Sequence, residues 1–286
     1  NVEKWGIEYN SFSKLKDQTC KILEIENNFQ QSKISNFYSQ ISFQYSKVRF
    51  ADKYKSHLAN SKYIHLLVNA QVTHLSGENK RFESISVSQN NEKIILKYNF
   101  FILCAGGIEN SRILLWSKEK NNSLINDDLP IGKYWITHPW IIGGVGFLYK
   151  SKIKKILNEN FINYDGPIHI ATNSALVNEK KILSGAMYMN AKEDTKLYKE
   201  IIKDLLCVAP EYGKKVAKLI FSKDLKCGNI FMNLEEPPKE TNKIILDKKI
   251  IDKNGVPITN LHYKKSKETL NSAKTILVEL GKLFVE

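Results

Sequence analysis

Ile102-Leu103-Cys104-Ala105-Gly106-Gly107-Ile108-Glu109-Asn110-Ser111-Arg112-Ile113-Leu114-Leu115 is the stretch on which the reading of this 286-residue chain turns. The apolar run from Asn99 to Cys104 predicts a buried strand, with Cys104 as a buried thiol at its end. Ala105-Gly106-Gly107 then predicts a tight turn. Glycine at such a turn accepts positive φ and lets the backbone approach a ligand closely. Ile108, Ile113, Leu114, Leu115 and Trp116 supply the apolar face of a helix that follows at once. A strand, a glycine turn and a helix aim helix N–H groups at an anion. The same pattern also describes a plain strand-to-helix turn with no ligand, and spacing alone leaves both readings open.

On the N-terminal side, Tyr63–Val68, Ala70–Leu75, Ser84–Ser88 and Ile94–Tyr98 are short β-prone runs. Turn signals at Ser76-Gly77-Glu78-Asn79 and Gln89-Asn90-Asn91 separate them. Before them, Ser13–Glu26 and Phe50–Asn60 read as helices. On the C-terminal side, Gly143-Gly144-Val145-Gly146 interrupts a β-prone run. Helices are predicted at Thr195–Leu206 and Gly213–Phe221, and a strand at Gly228–Leu234. Asn254-Gly255 marks a hairpin between Ile244–Leu246 and Val256–Tyr263. Lys267–Phe284 is an amphipathic helix built on Leu270, Ala273, Ile276, Leu277, Leu280 and Leu283.

Composition bounds the function. The apolar fraction of 42% and charged fraction of 26% are those of a folded protein. No apolar run reaches the ~20 residues that span a bilayer. The net charge of +13 raises the possibility of an anionic partner, but of the 43 basic residues only Arg49, Arg81 and Arg112 are arginine. Nucleic-acid readers favour arginine for its bidentate fork, so the lysine excess reads as compositional bias. Cys20, Cys104, Cys207 and Cys227 lack metal-ligand spacing and imply neither a metal nor a disulfide framework. His57, His65, His74, His138, His169 and His262 stand singly, and none sits in a hydrolase or metalloprotease motif.

The quoted stretch resembles the "LAAGAIENPRLLL" segment of the glucose-methanol-choline family of FAD-dependent oxidoreductases. Further segments resemble the family in its own order. Trp5-Gly6-Ile7 is similar to its "WPI", and Val68-Asn69-Ala70-Gln71-Val72-Thr73-His74-Leu75 to its "NAxVTxI" strand. Ile131-Gly132-Lys133 with Thr137-His138-Pro139 resembles "VGR…HP". Glu235-Glu236-Pro237-Pro238 with Asn242-Lys243-Ile244 resembles "EQxPxxxNRV", and Asp252–Pro257 resembles "DxxGxP". Gly6, Ser111 and Lys133 depart from the family's proline, proline and arginine.

The resemblance implies an α/β with α+β fold: part of a Rossmann-like FAD-binding domain plus a substrate domain built on an antiparallel sheet with helices. It implies a helical and loop segment over residues 1–60 linking the domains, part of the FAD domain over 61–140, and a substrate domain over 141–286 ending in a helix that leads back. The backbone of Val72 would lie against adenine, and Ala105, Gly106 and Gly107 beside the cofactor's adenosine and diphosphate side. Glu109, Asn110 and Arg112 would hold the turn and helix start rather than touch FAD. The activity implied is oxidation of a CH–OH group in an alcohol or sugar, with hydride transfer to flavin. The family's G-x-G-x-x-G turn is absent from these residues, and its catalytic histidine is expected beyond Glu286. No catalytic residue is therefore assigned, His138 included, since it matches the non-catalytic "HP" element. The chain is expected to be an internal fragment, inactive alone, of a protein taking small-molecule substrates in the cytoplasm. The alternatives are a basic binding module for nucleic acid or acidic polysaccharide, and a degenerate, inactive flavoprotein.

Overall fold

The structure is a computed structural model, and it describes residues 8–149, 156–157, 167–189, 202, 204–205, 207–220 and 225–285. In chain order the described helices are α1 (Tyr9–Ser13), α2 (Lys16–Leu23), α3 (Phe50–Asn60), α4 (Gly106–Lys120), α5 (Ser174–Lys180), α6 (Pro210–Ile220) and α7 (Lys267–Val285). The strands are β1 (Gln31–Lys33), β2 (Tyr38–Ile41), β3 (Ala70–Glu78), β4 (Arg81–Gln89), β5 (Glu92–Lys97) and β6 (Trp140–Tyr149). They continue with β7 (Ile168–Thr172), β8 (Gly185–Met189), β9 (Leu225–Leu234), β10 (Lys243–Ile251) and β11 (Pro257–His262). The mixed fold of antiparallel sheets and helices is the class the sequence implied. No helix among the described residues is long and apolar enough to cross a membrane. Trp5-Gly6-Ile7 and most of the helix predicted at Thr195–Leu206 lie outside the described residues.

Two compact units form, one from Asn1–Lys53, His138–Glu236 and Ser266–Glu286, the other from Tyr54–Thr137 and Pro237–Lys265. The first is organised on a six-stranded antiparallel sheet in the order β1-β2-β7-β8-β9-β6. Period-two alternation puts Ile168, Ile170, Met187, Met189, Met232 and Leu234 on its core face. There they meet Ala273, Ile276 and Leu280 of α7, the face predicted from sequence; Leu270 of that stripe is exposed. Each fully buried side chain of this size contributes roughly 1.5–3 kcal/mol. Tyr38 closes the core by donating its hydroxyl to the Ile276 carbonyl at 2.7 Å. Burial, reinforced by the Glu279 charge, drives that phenol well above its ordinary value.

The glycines at 143–146 do not interrupt the strand. β6 runs through them, with a register shift between Ile142 and Gly144. A Cβ on Gly143 would sit 2.9 Å from Leu277 Cδ2 and 3.2 Å from Met232 Sδ. The missing side chain is what lets α7 lie close on the sheet.

Helix α7 starts at a buried cap. The Ser266 hydroxyl accepts the Thr269 amide at 2.8 Å, an N-cap bond. Glu236, itself buried, accepts the Ser266 amide at 2.7 Å and the Thr269 hydroxyl at 2.9 Å. The Glu235-Glu236-Pro237-Pro238 element therefore anchors a helix start.

The second unit holds the three-stranded meander β3-β4-β5 and the β10-β11 hairpin. Its turns fall at Asn79-Lys80 and Asn90-Asn91, where both residues have positive φ. These are the type I′ turns that match strand twist. The first lies beyond the position read from Ser76–Asn79, because β3 continues to Glu78.

Two expected strands are not strands. Tyr63–Val68 and Asn99–Cys104 are irregular segments without a ladder partner among the described residues. Phe100 and Ile102 are 89% and 86% exposed, and Cys104 is an exposed thiol rather than a buried one. β-propensity describes fitness for a pleated, half-buried surface, and no neighbouring strand supplies that surface here.

Candidate functional site

The predicted glycine turn forms at the start of α4. Asn110 holds it, its side-chain oxygen accepting the Ala105 amide at 3.0 Å while its nitrogen donates to the Leu103 carbonyl at 3.1 Å. Gly106 has φ +84°, a conformation L side chains rarely adopt, and a Cβ on Gly106 or Gly107 would meet nothing within 4 Å. Ala105, Gly106 and Gly107 are exposed, so the first-turn amides of α4 are open to an incoming group. Val72 lies half-buried on β3, beside the register shift between Val72 and His74. Helix α4 packs along this strand, with the Leu75 amide donating to the buried Ser117 hydroxyl at 2.8 Å. No hydrogen bond joins Val72 to the glycine turn among the described residues.

Residues quoted for their sequence resemblance interlock around α4. Arg112 donates from Nε to the Pro257 carbonyl at 2.7 Å and from Nη2 to the Val256 carbonyl at 3.0 Å. The same Nη2 meets Asp252 Oδ2 at 2.7 Å. Gln71 Nε2 also donates to Asp252 Oδ2, at 3.1 Å, and Gln71 Oε1 accepts Asn254 Nδ2 at 2.6 Å. The 68–75, 102–115 and 252–257 segments thus share one network. Burial raises the Asp252 carboxyl, but hydrogen bonds from the Val256 amide, Arg112, the Asn254 amide and Gln71 outweigh it and hold the group below its ordinary value. The 131–133 and 242–244 segments meet likewise. The Ile244 amide donates to the Gly132 carbonyl at 2.7 Å, and the Trp135 amide to the Asn242 carbonyl at 2.9 Å.

A second feature is not legible in the sequence. The face of the six-stranded sheet opposite the core carries a row of rings. Phe43 stacks on His169 with centroids 4.7 Å apart, and His169 lies 5.7 Å from Tyr188. Tyr188 stacks on Phe231 at 4.9 Å, and Phe231 on Trp140 at 5.3 Å. Phe43 and Trp140, at the ends, are more than half exposed. The row is built by register, since His169 pairs with Tyr188 and Tyr188 with Phe231 across neighbouring strands. Burial lowers the His169 imidazole below its ordinary value, leaving a neutral ring within the row. Alternation within each strand was the available signal, but strands distant in sequence had to be paired before it became a row.

His138 does not join either feature. Its Nδ1 lies 3.3 Å from the Leu234 carbonyl. No group of His, Cys, Asp and Glu among the described residues is arranged to hold a metal ion.

The structure is similar to that of pyridoxine 4-oxidase from Mesorbium loti, with TM-score 0.49 and 12% identity over 87% of this chain and 45% of that one. It is also similar to an FAD-dependent oxidoreductase from Chaetomium thermophilum, with TM-score 0.42 and 14% identity over 82% of this chain and 47% of the other. The chain therefore spans about half the length of these solved structures. No protein-family model matches the sequence, and no curated protein matches it significantly.

Proposed function

We propose that this chain is part of an FAD-dependent oxidoreductase acting on the CH–OH group of an alcohol or sugar. The observation that carries the reading is the network around Arg112. Segments that resemble one enzyme family at 68–75, 102–115 and 252–257 are bonded to one another through Gln71, Arg112, Asp252 and Asn254. Short chance matches scattered along a chain would have no reason to meet in space.

The residues present fit the cofactor's adenosine side. Gly106 needs its glycine conformation, and no atom lies where a side chain on Gly106 or Gly107 would go. In this reading the exposed backbone at Ala105–Gly107, with the open amides of Gly106 and Gly107, holds the adenosine and diphosphate side, and the backbone of Val72 flanks the adenine. When bound, FAD supplies the acceptor for the substrate's hydride. The chain's own work is to hold and orient. Asn110 and Arg112 keep the turn and helix in place.

The test is spectroscopic. The gene product that carries this chain, purified with FAD, is expected to show flavin absorbance that an alcohol or sugar bleaches without oxygen. Gly106→Val is expected to reduce flavin retention while Gly281→Ala, in α7 with nothing within 4 Å of an added Cβ, leaves it unchanged. A product that takes up no flavin at any concentration overturns the reading.

A further inference from the structure

Within the second unit, Thr73, His74, Val87, Trp116 and Val256 line a pocket of about 350 Å³ whose remaining lining includes Lys93, Lys120 and Lys253. That volume falls in the range of small-ligand pockets. Val87 and Val256 are each 3% exposed and give it an apolar floor. Among the charged groups lining it, Glu92 alone opposes the three lysines. None of those lysines forms an ion pair with a described residue; the Lys120 ammonium rests 4.7 Å from the centre of the Trp116 ring. The Trp116 indole N–H is buried and finds no acceptor among the described residues. The chain's lysine excess puts single exposed ammonium groups everywhere, and each is worth little alone. Here three converge on one concavity, where their fields add.

We propose that this pocket binds a small oxyanion of the phosphate or sulfate class through Lys93, Lys120 and Lys253. His74 couples that binding to a proton. The Thr73 hydroxyl lies 3.1 Å from the Ser86 carbonyl and 3.0 Å from His74 Nδ1, so it hydrogen-bonds the ring and fixes its orientation. The neutral ring carries one proton and can take a second on its other nitrogen. Burial, then Lys120 of α4 and Lys93 of β5, lower the His74 imidazole below its ordinary value. Glu92 of β5 and Lys253 of the β10-β11 loop are the other charged groups of the pocket. An anion among the lysines offsets their repulsion and restores proton affinity to His74. By linkage, the anion binds more tightly as the pH falls through the His74 midpoint.

The experiment is an NMR titration of the His74 ring in the 286-residue chain, with sodium sulfate against sodium chloride at matched ionic strength. Sulfate keeps its charge across the range, so any pH dependence belongs to the protein. The expected result is a rise in the His74 midpoint of about one pH unit with sulfate and little with chloride. The rise should vanish in a Lys93→Met, Lys120→Met, Lys253→Met variant, whose far-ultraviolet circular dichroism and melting transition report its folding. Phenyl phosphate binding about tenfold tighter than sulfate assigns the site to organic monoesters resting on Val87 and Val256, and equal binding assigns it to the free oxyanion. An equal shift with chloride, or one that persists in the triple variant, overturns the proposal.

Discussion

The six-stranded sheet of the first unit and the segments Tyr63–Val68 and Asn99–Cys104 of the second are written in the same kinds of residue. Only the sheet is a ladder. Met232, Leu234 and Ile276 in the sheet core are at most 1% exposed, whereas Phe100 and Ile102 are 89% and 86% exposed. The lesson is that a β-prone run becomes a strand only where another strand completes its backbone hydrogen bonds and an apolar layer covers its face. Neither condition can be read from the run itself.

The sharpest way to break this comparison is to truncate on both sides of it. Ile276→Ala is expected to cost about 2–5 kcal/mol, since the site is closed by β-sheet and helix packing. Phe100→Ala is expected to stay within about 0.5 kcal/mol. Urea unfolding of both variants measures the pair, and comparable losses would mean the 99–104 segment is packed after all.

Next in size is the network around α4, the part of the second unit that does have partners. Arg112→Met should cost about 2–3 kcal/mol, because it removes the side-chain donor to the Pro257 and Val256 carbonyls and the charged partner of Asp252. The Asp252 carboxyl lies below its ordinary value in the folded chain. Its contribution is therefore present above the unfolded value of about 3.9 and lost as the pH falls through the folded one. Asp252→Asn should flatten the acid limb of a stability-versus-pH curve. An unchanged limb would show that other carboxyls set it.

The contrast between covered and open backbone can be tested at two glycines. Gly143→Val forces a side chain against Leu277 and Met232 and should cost about 1–3 kcal/mol. Gly107→Ala meets empty space in the first turn of α4 and should stabilise by up to about 1 kcal/mol, read by thermal melting. If the alanine destabilises, something occupies that space in solution.

The smallest effect belongs to the ring row. His169→Phe keeps the stack and should change stability by less than about 1 kcal/mol. Because burial lowers the folded imidazole, the neutral ring's contribution is present above the unfolded value of about 6.5 and fades as the pH falls through the folded one. That slope should disappear in the variant. A slope that survives points to another titrating group.

The sequence by itself determined the local units of this protein. The α7 stripe, the β10-β11 hairpin with Asn254-Gly255, the meander strands and the glycine turn before α4 all follow from periodicity and turn chemistry acting over a few residues. Asn110 as a turn holder is implied by the family resemblance, and its partners at Leu103 and Ala105 are close in sequence. Tertiary structure decided the rest. It exposed Cys104 and the flanking apolar run, turned the glycines of β6 into a seat for α7, and buried Glu236 under a helix cap. It also assembled the ring row and gathered Lys93, Lys120 and Lys253 around His74. These outcomes join residues far apart in the chain. Backbone pairing and close packing select such neighbours, and no local pattern records them.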